Sequence, residues 1–239
     1  MNSKKNKIVY IIIIISTIVI LALVYKFVFN QKNLVNQGNF RVNDIVVKSE
    51  INVMDNYEEV KKENEAKLED IKLNLSQNNK ISLLLANVNN VTLESATISN
   101  FEVNNPEKVG KFYFSEQEAE EIVKTELGKL EKSFNVNTKL QEDGQYLIEI
   151  WINNEDFLTG ANLPEDSENI SYDGTLLKNY DISKTQLDFK AKFDLILKDN
   201  LGKKSICKFE LEFPDELLIT QGISITRKGV GNYLFSIID

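Results

Sequence analysis

Three patterns predict an α+β fold weighted to antiparallel sheet and preceded by a membrane helix. Long stretches alternate apolar and polar residues at period two. Two segments repeat apolar residues at helical spacing, and one N-terminal run carries no charge at all. The full expectation is an N-terminal single transmembrane helix followed by a β-rich, mainly antiparallel extracytoplasmic domain with about two helices.

The uncharged run is Ile8 to Tyr25, continuing past Lys26 to Phe29. As a helix it spans about 33 Å, enough for a bilayer core. Ile8, Ile12, Ile15, Ile20, Leu23 and Phe27 are its anchor residues. The run is longer than a signal-peptide core and no small-x-small cleavage site follows, so an uncleaved signal anchor is the better reading. Lys4, Lys5 and Lys7 crowd its N-terminal side, which orients the N-terminus to the cytoplasm and the large domain outside it. The expected domains are a short tail and anchor over 1–29, a polar tether over 30–43, and a β-rich domain over 44–239. That domain has room for two subdomains dividing near 135–185.

After a strand around Ile45 to Val53, the pair Asp55 and Glu58 has capping-box spacing and opens a first helix. Tyr57, Val60, Leu68, Ile71 and Leu75 keep one face of it, and that face could pair with a partner subunit. A second helix is expected after Ser115 and Glu118, with Ala119, Ile122, Val123, Leu127, Leu130 and Phe134 on one face. Strands are expected over Ile81–Ala86, Val91–Val103, Lys111–Phe114 and Tyr146–Ile152. Leu187–Leu195 and Ser205–Phe213 alternate strictly around the turn Asp199-Asn200-Leu201-Gly202, which predicts a long hairpin with one wet face. Ile219–Thr226 and Tyr233–Ile238 make a last strand pair. Asn154 to Asp181 breaks the alternation and reads as a long loop.

Composition narrows the chemistry. The chain has a formal charge of −8, and all its acids but only part of its bases lie beyond residue 30. A domain that acidic disfavours nucleic acid and anionic surfaces as partners. With no histidine, the usual general base, zinc ligand and neutral-pH switch are missing. The single cysteine, Cys207, excludes an internal disulfide and sits on an expected inward strand face. An abundance of Asn, Ile and Lys fits an AT-rich bacterial genome.

The acidic loop is the one constellation with ligand logic. Asp156, Glu165, Asp166 and Asp173 are candidate calcium ligands, but their spacing matches no calcium-loop motif, so a solvated loop is the reading adopted. No nucleophile elbow, phosphate-binding glycine loop or metal-binding histidine pair occurs. The expectation is therefore a non-enzymatic interaction or scaffold module without a cofactor. It would be an accessory part of a bacterial envelope assembly of secretion, conjugation, pilus or division type. Its expected partners are the membrane and proteins, with self-association included. A membrane-tethered regulator is the alternative, and a carboxylate-based cell-wall enzyme comes third.

Overall fold

The computed structural model describes residues 37–56, 59, 62, 70–105, 107, 110–115, 123–124, 133–162, 175–213 and 216–238. The chain divides into Met1–Gln37 and Gly38–Asp239, and the fold below is that of the second unit. Twelve strands form one sheet. They are β1 (Gln37–Asp55), β2 (Lys72–Asn87), β3 (Leu93–Asn104), β4 (Lys111–Ser115), β5 (Val123–Lys124) and β6 (Phe134–Val136). Then come β7 (Thr138–Leu140), β8 (Tyr146–Asn162), β9 (Phe189–Asp199), β10 (Lys204–Phe213), β11 (Ile223–Lys228) and β12 (Leu234–Ile238). Three short helices join them: α1 (Thr175–Asn179), α2 (Lys184–Leu187) and α3 (Glu216–Gln221).

The sheet closes on itself through one broken strand. β6 pairs with β3, Ala96 lying opposite Val136. One residue later β7 pairs with β8, Thr138 lying opposite Ile148. The circuit therefore runs β8-β2-β1-β12-β10-β9-β3 and back to β8 through residues 134–140. Alternation sends every second side chain inside, so Ile45, Ile81, Leu83, Ile98, Ile148 and Leu195 are fully buried in one core. The hairpin expected from 187–213 forms, with Phe213 opposite Phe189 and Phe209 opposite Phe193. That register stacks each pair, at 4.2 and 5.0 Å between ring centroids.

Towards one end the circuit opens. There β1, β2 and β8 run on as a sheet edged by β11 on one side and by β4 and β5 on the other. A second core of Ile51, Leu73, Leu75, Phe157, Leu177 and Leu218 lies there, and it takes residues from all three helices. Between the cores the inward positions are polar: Ser49, Gln77, Asn79 and Asn154 are buried. Asn79 Nδ2 donates to the Ile152 carbonyl at 2.9 Å, and Gln77 Nε2 donates to Asn79 Oδ1 at 3.1 Å. Gln77 Oε1 and both amide atoms of Asn154 have no hydrogen-bond partner among the described residues.

The structure corrects the expected class. The described chain is mostly antiparallel β-sheet with three short helices, and among the described residues no helix is long and apolar enough to cross a membrane. The α+β domain behind a single-pass signal anchor is thus replaced by a largely β fold. The anchor residues Ile8, Ile12, Ile15, Ile20, Leu23 and Phe27 lie outside the described residues.

Neither expected helix has the extent read from the sequence. In the first, Glu59 is helical, but Leu75 belongs to β2 and pairs with Val53. The polar residues at 77–79 split the apolar stripe of β2, so its first half joined the 3-4 pattern of the preceding charged segment. In the second helix, Val123 and Lys124 pair with Phe114 and Tyr113, and Phe134 opens β6. The long loop shrinks as well, because β8 continues to Asn162. Register shifts against Leu75 and Gln77, with positive φ at Asp156 and Gly160, mark bulges that erase period two there. Side chains of β2 satisfy the displaced amides: Asp156 N donates to Ser76 Oγ at 3.1 Å, and Gly160 N donates to Asn74 Oδ1 at 2.9 Å.

Candidate functional site

Where the circuit opens, the sheet leaves backbone edges without a strand partner among the described residues, and β11 carries one of them. After β10, α3 ends in an αL cap: Gly222, at φ 73, donates its N–H to the Leu218 carbonyl at 2.8 Å. The same turn starts β11. Ile51 N donates to the Gly222 carbonyl at 3.0 Å. Antiparallel bonds join opposite residues in alternate pairs, so this bond sets the phase of the whole strand. Ser224, Thr226 and Lys228, opposite Ser49, Val47 and Ile45, turn their backbone groups to β1. Ile223, Ile225 and Arg227 turn theirs to the other side, where β11 has no strand partner among the described residues.

The side chains of that edge are open too. Ile225 is 65% exposed and Ile223 41%, both on the outer face beside Lys48 and Glu50 of β1. Arg227 pairs with Asp44 at 3.0 Å. Beside β11 the charges are Lys48, Arg227 and Lys228 against Asp44, Glu50 and Glu212, a local balance near neutral in a chain that is acidic as a whole. Exposed isoleucines on an unpaired edge strand are what soluble proteins usually blunt with charge or proline.

A cleft of about 540 Å³ lies beside this edge, lined among others by Asn100, Lys192, Asp194, Lys208, Glu210 and Tyr233. It forms because β10 pairs with β12 only over Lys204–Ile206. Further along, side chains cap the stranded carbonyls of β10. The Tyr233 hydroxyl donates to Glu210 O, and the Lys228 ammonium to Glu212 O, each at 2.6 Å. A bulge in β3 at Asn100, φ 51, aims its amide at Asp194, with Nδ2 to Oδ2 at 2.7 Å. Lys192 and Glu210 pair at 3.4 Å across the hairpin, and Tyr233 stacks on Phe209 at 4.7 Å. Burial pushes the Tyr233 phenol up, so it stays protonated and keeps donating at neutral pH.

Burial, then the Asp194 charge, pushes the Cys207 thiol up to about 12, which keeps it from acting as a nucleophile. Among the described residues no three His, Cys, Asp or Glu side chains gather around a potential metal position.

The residues singled out from the sequence do not converge here. Of the calcium candidates, Asp156 is an exposed bulge residue, while Glu165, Asp166 and Asp173 lie outside the described residues. Of the partner-helix face, Tyr57, Val60 and Leu68 lie outside them, and Ile71 and Leu75 are buried in the second core. The edge isoleucines were missed, because Ile219–Thr226 reads as one strand and hides the helix before Gly222. The glycine was the available signal, ending one pattern and starting another. Compared with protein-family models, with curated proteins and with solved structures, the chain matches none of them.

Proposed function

We propose that this chain is a non-catalytic interaction module that takes up an extended protein segment by strand addition at β11. The supporting observation is the outward turn of the backbone groups of Ile223, Ile225 and Arg227 at an edge with two exposed isoleucines and no second strand among the described residues. Strand addition draws affinity from main-chain hydrogen bonds and selectivity from alternate side chains, and β11 offers both. The narrower expectation of an envelope assembly rests on residues 8–29 and draws no support from the described fold.

The reading is tested by photo-crosslinking in producing cells from residue 223, with residue 84 of the doubly paired β2 as control. Adducts from 223 that disappear when Ile225→Pro is added support it. Proline at 225 removes an outward N–H and leaves the β1 bonds alone. Adducts of equal yield from 84, or adducts from 223 that ignore the proline, contradict it. The cleft favours a second reading, a small polar ligand of mixed charge held between Lys208, Asp194 and Asn100. A ligand-dependent rise in melting temperature lost in Asn100→Ala would mark it.

A further inference from the structure

We infer that the segment taken up at β11 is β11 of a second copy of this chain, paired antiparallel about a two-fold axis through Ile225. The inference rests on the strand-addition reading above and names its partner.

The backbone groups left without a strand partner among the described residues belong to Ile223, Ile225 and Arg227, three residues spaced evenly about Ile225. An antiparallel copy centred there sets Ile225 opposite itself and Ile223 opposite Arg227. All three are hydrogen-bonding positions in that register, so the N–H and C=O of every one gain partners. A register shifted by one residue would face paired groups against free ones, and axes through Ser224 or Thr226 would match only two of the three residues. The edge is thus most fully self-complementary about Ile225.

The side chains agree with it. On the outer face the two Ile225 side chains meet, and each Ile223 lies against the stem of the opposite Arg227. Glu50 is opposite Ile223 on β1, so it comes within diagonal reach of the other copy's Arg227. Elsewhere a chain of net charge −8 repels its own copy, whereas the charges beside β11 are near balance and let two copies approach there. A six-residue strand pair falls short of the roughly 1,200 Å² at which stable interfaces begin, so the pairing is reversible and concentration-dependent.

Two measurements on the full chain decide it. In amide exchange followed over a dilution series, Ser224 and Thr226 stay protected throughout by β1. Ile223, Ile225 and Arg227 are expected to gain protection as concentration rises. If those three stay unprotected at every concentration, the edge is open but takes no second copy; the inference falls and strand addition by another protein survives. If they stay protected at every dilution, the edge is not free and both readings fall.

The second measurement fixes the register. Under mild oxidation Ile225→Cys should crosslink at least about tenfold faster than Ile223→Cys, because opposed hydrogen-bonded residues lie about 5.5 Å apart, within disulfide range. The two copies of residue 223 would stand about 14 Å apart along the strand. Cys207 is buried and does not compete. Equal rates for the two variants overturn the two-fold.

Discussion

The two regions of this sheet solve the same problem in opposite ways. In the closed region each strand finds neighbours on both sides, and the interior fills with aliphatic side chains and stacked phenylalanines. In the open region the sheet keeps free edges, and short helices cover its inner face. Closure removes edges altogether, whereas an open sheet must expose them. The difference explains where binding can occur: a closed frame holds β1 rigidly, and β1 presents β11 where the circuit has already parted.

A polar belt keeps the two regions distinct. Gln77 and Asn154 face each other across β2 and β8 at complete burial, and Gln77 Oε1 and both Asn154 amide atoms have no hydrogen-bond partner among the described residues. An unsatisfied buried amide costs about 1–3 kcal/mol, so the belt is a weak joint between two better-packed bodies. We expect the open region to yield first, as a sub-global unit.

The largest effect should come from the closed core. Leu83→Ala should lower global stability by about 3–5 kcal/mol in urea unfolding, since strands on both sides prevent collapse onto the cavity. Leu218→Ala should cost less, about 2–3 kcal/mol, because a helix of six residues can shift inward to fill the space. Equal losses would mean that the two cores act as one body.

At the joint, a Cβ on Gly110 would overlap Asn154 Oδ1, and Gly110 holds φ 78. Gly110→Ala should therefore cost about 2–3 kcal/mol, and Asn154→Ala in the same chain should recover part of it. Full additivity in that double-mutant cycle would separate the two residues. Asn154→Leu should change stability by less than about 1 kcal/mol, as no hydrogen bond among the described residues is lost, while Asn79→Leu should cost about 1–3 kcal/mol by removing the bonds that Asn79 makes to Gln77 Nε2 and the Ile152 carbonyl. The order of those two variants sharpens the belt's role.

The smallest effect is electrostatic and lies on the outer face. Burial alone would push the Glu149 carboxyl up, but hydrogen bonds and charge from Lys80 and Lys139 hold it below the usual carboxylate value. Its folded value thus lies under its unfolded one. The stabilisation is complete above the unfolded value and is lost as pH falls through the folded one. Glu149→Gln should flatten the acid limb of the stability profile by a fraction of about 1 kcal/mol. Trp151, the sole tryptophan and neighbour of Lys80, reports that limb by fluorescence.

How much of this was legible in the sequence follows the same division. The hairpin of 189–213 alternates without interruption, because one face is core and the other water, and its register follows from the turn at Gly202. The open region was misread for physical reasons. The belt residues break the apolar stripes of β2 and β8, and bulges at Asp156 and Gly160 remove the period that marks a strand. Closure through 134–140 was invisible, since two three-residue strands carry no pattern of their own. The edge at β11 needed the phase of one backbone bond, which no composition or spacing encodes.

In this fold a closed frame carries a separately yielding open region with the β11 edge at its margin. Native-state amide exchange of the full chain in low urea is the sharpest check. We predict that Leu73 and Leu75 open at a lower free energy and with a shallower urea dependence than Leu83 and Ile148. A single opening energy and slope shared by all four would contradict the claim.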